Sequence, residues 1–294
     1  MIGELLALTS AFTWALVSVL LRVLQTRANA LSLNAFRSLV AAIVTAGVVV
    51  ATGRLEAVAH FSPSTVFILV ASVLVGMGIG DTLYFYSLRL VGVVRGLILS
   101  NAYPVFAAIM AAAFLGERMS VGLLVGTMLV VFGVALVLVP SRGLLLKSTV
   151  EPGKNVRLGV ALALAAALFW ACATVLVRVG AQETDGVAAT SLRLIAASVA
   201  LMVASGLSRS GLQTPKYRGR QLLGILAAGV VTAATSVTFL LAVQYTGAAK
   251  TATLTSTAPL FGAPMSLLMG ERLTWQTLVG CVVSVVGIWL VMAG

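Results

Sequence analysis

The amino-acid sequence predicts an all-α membrane protein with ten transmembrane helices arranged as two inverted five-helix repeats. Two observations carry this prediction. Hydrophobic residues make up 60% of the 294 positions and charged residues only 9%, a balance for which lipid rather than water must be the main solvent. In addition, a set of residues in the first half recurs in the second half at a nearly constant spacing.

Ten segments are long and apolar enough to cross a bilayer. A membrane helix needs roughly 20 mainly apolar residues, because the hydrocarbon layer is about 30 Å thick and a helix rises about 1.5 Å per residue. Seven runs without Lys, Arg, Asp or Glu reach this length: 61–80, 96–116, 120–140, 158–177, 222–249, 251–270 and 273–294. Three more carry a single arginine near one end: 5–24 with Arg22, 33–52 with Arg37 and 187–207 with Arg193.

The first of these runs has one feature of a secretory signal, because it ends near the small-residue sequence Ala28-Asn29-Ala30. Its other features favour a retained membrane span. It carries Glu4 where a signal has a basic region, its apolar part is about 20 residues long, and it has a counterpart later in the chain.

An internal repeat relates the two halves of the chain. Three residues of the first half recur at an offset of 156 (170−14, 178−22 and 193−37): Trp14, Arg22 and Arg37 match Trp170, Arg178 and Arg193. Further along, the offset is 154: Gly116-Glu117-Arg118, Gly126 and Gly133 match Gly270-Glu271-Arg272, Gly280 and Gly287. Such self-similarity indicates a duplicated unit.

The repeat divides the chain into a first half, 1–140, a polar linker, 141–157, and a second half, 158–294. Each half contains five predicted spans. Since five is odd, the second half must enter the membrane in the opposite sense to the first. This gives inverted repeats, the architecture of many alternating-access carriers.

The distribution of positive charge predicts the orientation. Of 19 Lys and Arg residues, all but five lie in or beside the connections that follow odd-numbered spans; the five exceptions are Arg54, Arg118, Arg178, Arg193 and Lys250. By the positive-inside rule, the richer side is cytoplasmic. We therefore expect a multi-pass protein of the cytoplasmic membrane with both termini outside.

A cysteine in the connection after span 7 tests this orientation. The segment from Arg209 to Arg220 contains four positive charges that resist translocation. We expect Tyr217→Cys to resist membrane-impermeant thiol reagents in intact cells and to react after lysis. Rapid labelling in intact cells would reverse the orientation.

The paired segments 92–118 and 247–272 resemble the EamA repeat of the drug/metabolite transporter superfamily, and the likeness covers essentially the whole chain. The resemblance implies a ten-helix carrier with a central cavity, usually exporting amino acids or related metabolites. Many members are expected to keep both termini inside, and the charge count departs from that pattern. Smaller multidrug relatives carry a first-span glutamate. Its absence from residues 10–15 argues against lipophilic cations as substrates.

Asp81 is the most isolated acidic residue and directly follows the glycine-rich end of the charge-free run 61–80, within the third span. A carboxylate inside a membrane is costly and often marks a path for protons or solute, so Asp81 is our candidate for proton coupling. The alternative is that Asp81 pairs with Arg89 or Arg95 and only positions a helix. The repeat partner of Asp81 is Ser236, so symmetry does not require a carboxylate there.

Four basic residues lie near the predicted starts of spans 2, 4, 7 and 9: Arg37, Arg95, Arg193 and Lys250. Because the halves are inverted, two of them edge each end of the proposed pathway, where they would attract carboxylates or phosphates as helix N-termini do. The alternative is that these long side chains extend to lipid headgroups.

Aromatic residues and prolines complete the candidate binding site. An apolar or aromatic solute would suit a cavity lined by Trp14, Tyr84, Tyr103, Trp170 and Phe239, although such residues also serve as packing. Two prolines in equivalent spans, Pro104 and Pro259, remove backbone hydrogen bonds and are candidate hinges.

Other classes of protein fit less well. His60 is the only histidine and has no set of acid, base and nucleophile around it, which argues against an enzyme. A channel would need polar groups through the membrane, and the basic residues form no stripe that would track nucleic acid. Cys172 and Cys281 lie in apolar runs without metal-ligand spacing.

We expect no cofactor or metal, a small-molecule substrate, protons as candidate coupling ions, and a monomer or weak homo-oligomer.

Overall fold

The computed structural model describes residues 1–24, 30–91, 93–138, 156–207, 219–267 and 275–293, and all regular secondary structure within these ranges is helical. The helices of the first half are α1 Ile2–Leu24, α2 Ala30–Ala51, α3 Leu55–Ala59, α4 Pro63–Val73, α5 Asp81–Val91, α6 Val93–Ser100, α7 Tyr103–Leu115 and α8 Val121–Leu138. Those of the second half are α9 Val156–Ala181, α10 Gly186–Leu207, α11 Arg220–Thr246, α12 Ala248–Thr255, α13 Ala258–Leu267 and α14 Trp275–Ala293.

These helices confirm the predicted all-helical membrane fold. Within the described ranges, eight segments are long and apolar enough to cross a membrane: Ser32–Ala51, Pro63–Tyr84, Ile98–Leu115, Val121–Leu138, Val156–Ala181, Gly186–Leu207, Leu222–Thr246 and Trp275–Ala293. The apolar part of α1, Ile2–Val17, corresponds to the first predicted span, and α12 with α13 to the ninth.

Span 3 is longer and less regular than the sequence indicated. It starts as α4, passes through a π-helical turn at Leu74–Gly80 and continues as α5. The π-helical turn contains the glycines of the sequence Leu-Val-Gly-Met-Gly-Ile-Gly. Such wide turns interrupt the regular hydrogen-bond ladder and occur often at functional sites. Asp81 is the first residue after this turn.

Spans 4 and 9 are both discontinuous. In span 4, α6 ends at Ser100, and α7 begins with Tyr103-Pro104; in span 9, α12 ends at Thr255, and α13 begins with Ala258-Pro259. Each proline therefore lies in the first turn of a helix, where its missing N–H has no helical acceptor to lose. The breaks occupy equivalent positions in the two halves. Their role as hinges stays a prediction.

The packing of the spans follows a two-fold relation between the halves. Equivalent spans contact each other directly: α2 with α10, α7 with α12, and α8 with α14. Other contacts occur in matching pairs, because α9 packs on α4 and α5 as α11 packs on α1, and α9 packs on α7 as α1 packs on α13. A duplicated, inverted arrangement produces this pattern.

Spans 5 and 10 approach most closely at glycines. A Cβ atom built on Gly133 would lie 2.3 Å from Ser284 Oγ and 2.6 Å from the Gly280 carbonyl oxygen. One built on Gly126 would lie 2.7 Å from the Gly287 carbonyl oxygen. These four glycines belong to the internal repeat, and their missing side chains allow the two backbones to touch.

Candidate functional site

Asp81 and Trp170 form the centre of a polar and aromatic cluster between the two halves. The indole Nε1 of Trp170, in α9, donates a hydrogen bond of 2.9 Å to Asp81 Oδ1. A Cβ atom on Gly80 would lie 2.8 Å from Trp170 Cδ1, so the glycine beside Asp81 makes room for the indole. The π-helical turn thus ends where the carboxylate meets the second half.

Two tyrosines surround the same indole. Tyr84 follows Asp81 by three residues in α5, so both side chains lie on one face of the helix. Its ring centroid is 5.2 Å from that of Trp170. Tyr103, at the break in span 4, meets Trp170 edge-on at 6.5 Å, and its hydroxyl lies 2.9 Å from Thr174 Oγ1. Spans 3, 4 and 6 therefore meet at one indole.

Arg37 lies within the protein rather than at a membrane surface. Its side chain is 3% exposed, because α2 begins at Ala30 and carries Arg37 about two turns into the span. Its guanidinium lies 5.6 Å from the ring centroid of Trp14 and donates to the side-chain oxygen of Asn34. It also interacts electrostatically with Asp81. The cation therefore lies beside Trp14, whereas the Asp81 carboxylate lies beside Trp170.

Two guanidinium nitrogens of Arg37, Nε and Nη1, have no hydrogen-bond partner among the described residues. A buried unpaired donor costs roughly 1–3 kcal/mol, more when the group is charged. A solute carboxylate is one group that would satisfy these donors. Arg37 is thus the described basic residue best suited to bind an anionic group.

Arg193 is the repeat partner of Arg37, but its surroundings differ. Its Nε donates a hydrogen bond of 3.0 Å to Ser72 Oγ in α4. The repeat partner of Asp81 is Ser236, so the second half offers no carboxylate at that position. Among the described residues, the surroundings of the two equivalent arginines are therefore unequal, since Ser236 replaces the carboxylate of Asp81 in the second half.

The remaining predicted residues occupy other surroundings. Phe239 packs against an apolar cluster that contains Leu69, Leu240 and Val243, which agrees with the packing alternative. Lys250 borders an open surface depression of about 530 Å³ that also involves Glu4 and Tyr245. The side chains of Arg89 and Arg95, the suggested partners of Asp81, are outside the part of the chain that the structure describes.

Two polar partners in the cluster were not singled out from the sequence. Thr174 lies one turn after Trp170, and Asn34 lies one turn before Arg37, so each shares a helix face with a predicted residue. The spacing of one helical turn from a predicted residue was the sequence signal that could have identified Thr174 and Asn34. Over the described ranges, no group of three or more His, Cys, Asp or Glu side chains is placed to hold a metal ion.

Comparison with known proteins gives one family match and a fold match. The model of the EamA-like transporter family matches residues 1–139 and again residues 157–293. Among solved structures, 29 chains match, including one crystal structure of a protein with a TM-score of 0.82 at 16% sequence identity. That match covers 98% of this chain and 95% of the other. No curated protein sequence matches the chain.

Proposed function

Because the chain belongs to the EamA-like transporter family, a family of membrane transporters and not of enzymes, we propose that it is a secondary active transporter that exports amino acids or related small metabolites. The membrane is the cytoplasmic membrane, and transport proceeds by alternating access. The matching contacts of the two halves support this mechanism, because carriers of this kind are commonly built from two related halves. The halves 1–140 and 158–294, joined by the linker 141–157, move against each other, with the breaks at Pro104 and Pro259 as hinges.

The observation that carries the proposed substrate is the combination of the buried Arg37 guanidinium, which has unpaired donors, with the Asp81 carboxylate bound to Trp170. A free amino acid carries both a carboxylate and an ammonium group. Arg37 offers unpaired donors to the carboxylate, Asp81 offers an acceptor to the ammonium group, and Trp14, Tyr84, Tyr103 and Trp170 offer aromatic surface.

The second candidate is an uptake or exchange carrier for anionic metabolites such as sugar phosphates or carboxylates. Arg193 favours it, because this half-buried basic residue has a serine hydroxyl as its described hydrogen-bond partner. A multiply charged anion at Arg37 would, however, also meet the Asp81 carboxylate, with which Arg37 interacts. The mixed charge therefore favours a zwitterion.

Reconstitution distinguishes these functions. We expect purified protein in liposomes to show saturable counterflow of a radiolabelled amino-acid mixture. Counterflow of a labelled sugar phosphate alone would favour the second candidate, and unitary conductance would indicate a channel. Protein-free liposomes and liposomes with heat-inactivated protein are the controls.

Arg37→Gln tests the binding role of the guanidinium. Loss of a charge-assisted hydrogen bond removes about 1.5–3 kcal/mol, and each 1.4 kcal/mol corresponds to about tenfold in affinity. We therefore expect the concentration for half-maximal amino-acid counterflow to rise at least about tenfold. Arg157→Gln, the same change at an exposed position at the start of α9, is the matched control. Equal kinetics in both variants would remove Arg37 from the site.

A further inference from the structure

Glu117 joins the two halves at the face where span 4 ends. It follows α7, whose last turn closes at Gly116 with a left-handed φ of 64°. The Glu117 carboxylate accepts hydrogen bonds from the backbone N–H groups of Ala248, at 2.7 Å, and Ala249, at 3.1 Å. These residues begin α12 in the second half. The first N–H groups of a helix lack helical partners and carry its positive dipole end, so they favour an anion.

Gly247 makes this contact possible. It joins α11 to α12 with a φ of 86°, a conformation that residues with a side chain rarely adopt. A Cβ atom at this position would lie 2.7 Å from Glu117 Oε1 and 2.9 Å from Glu117 Oε2. Any larger residue would therefore push the carboxylate away from the helix start.

Residues of the second half form a hydrogen-bonded network next to the Glu117 carboxylate. Arg178 Nε, near the end of α9, lies 4.0 Å from Glu117 Oε1, and its Nη1 donates to the carbonyl oxygens of Val243, at 3.0 Å, and Gln244. The Gln244 side chain in turn donates to the carbonyl oxygen of Thr184 at 3.0 Å. These bonds tie the ends of α9 and α11 together. Glu117 connects the first half to this network.

We infer that Glu117 is a latch that holds this face of the transporter closed. This inference rests on the proposed alternating-access function, in which each face must open once per cycle. The contact crosses from one half to the other, so opening between α7 and α12 breaks it. The Glu117 carboxylate binds two N–H groups and so stabilises the conformation closed at this face. Removing the carboxylate shifts the protein population towards the conformation open at this face.

The distance between the halves at this face tests the latch. Spin labels at Arg118→Cys and Glu183→Cys, both exposed and one in each half, report the opening when Cys172 and Cys281 are replaced by alanine. In nanodiscs, we expect Glu117→Gln to raise the ratio of long to short distances about tenfold, because one carboxylate acceptor becomes a donor. Gly247→Ala, which displaces the same carboxylate, should give the same shift. Glu56→Gln, an exposed acid in α3, is the matched control.

Each outcome is decisive. A longer distance with little change in melting temperature supports the latch. An unchanged distance distribution in both variants, or a loss of folding in Glu117→Gln, would show that Glu117 is a structural cap and overturn the inference. The measurement needs no solute. If the distance shifts but amino-acid counterflow is absent, the latch stands and the proposed substrate fails.

Discussion

Replacing Asp81 with asparagine is expected to abolish accumulation of solute driven by a pH gradient. Asparagine keeps an oxygen that accepts the hydrogen bond from Trp170 Nε1, so the local geometry is retained. It loses the ability to alternate between a charged and a neutral form. A proton on Asp81 would remove the negative charge that the proposed site offers to the ammonium group of the solute, so protonation would favour release of the solute. The variant fixes the site in the uncharged form.

The measurement is accumulation of the radiolabelled amino-acid mixture in vesicles with an imposed pH gradient, compared with counterflow without a gradient. We expect the Asp81→Asn variant to lose accumulation driven by the pH gradient and to keep part of the counterflow measured without a gradient. Glu183→Gln, an exposed acid in the connection between α9 and α10, is the control that removes a carboxylate elsewhere. Continued concentration of solute by the variant would place the coupling group elsewhere. Loss of folding would favour a structural role for Asp81.

Gly133→Ala is expected to destabilise the pairing of spans 5 and 10. The added methyl would lie 2.3 Å from Ser284 Oγ and 2.6 Å from the Gly280 carbonyl oxygen, and one of these atoms belongs to the backbone. The helices must therefore separate. Overpacking of this kind costs about 1–3 kcal/mol. We expect a melting temperature several degrees lower in detergent and a lower yield of folded protein.

Gly47→Ala is the matched control for this substitution. Gly47 lies within α2, and a Cβ atom there would meet nothing within 4 Å. Alanine also favours a helix over glycine by about 1 kcal/mol, so we expect the control to be as stable as the parent or slightly more so. A Gly133→Ala variant with the stability of Gly47→Ala would show that the two spans do not require their close approach.

Much of the fold was predictable because membrane crossing depends on length and polarity along the chain. The apolar runs predicted the helices, and the recurrence of Trp14 and Arg37 as Trp170 and Arg193 predicted two related halves. The family match over both halves confirms this assignment. Pro104 and Pro259 indicated interruptions in spans 4 and 9, but the π-helical turn at Leu74–Gly80 was not anticipated, because apolarity alone does not show how a helix is interrupted.

The site was only partly predictable, because its contacts join residues that are far apart in sequence. Asp81 and Arg37 were singled out since charges are rare in membrane spans. The suggested partners of Asp81, Arg89 and Arg95, were its neighbours along the chain, and their side chains lie outside the described residues; the sequence did not suggest Trp170, 89 positions away, which donates a hydrogen bond to Asp81. Phe239 was grouped with the aromatic site, yet it packs in an apolar cluster. The rotation of each helix about its axis decides which side chains contact each other.

The sequence by itself determined that this protein is an all-helical membrane protein with two related halves, because residue type sets the preference for lipid and the spacing of recurring residues shows the duplication. Only the tertiary structure decided that Asp81 meets Trp170 and that Glu117 meets the start of α12. These contacts depend on how closely helices approach. That approach is set by glycines such as Gly80, Gly133 and Gly247, whose neighbouring atoms come from the other half of the chain.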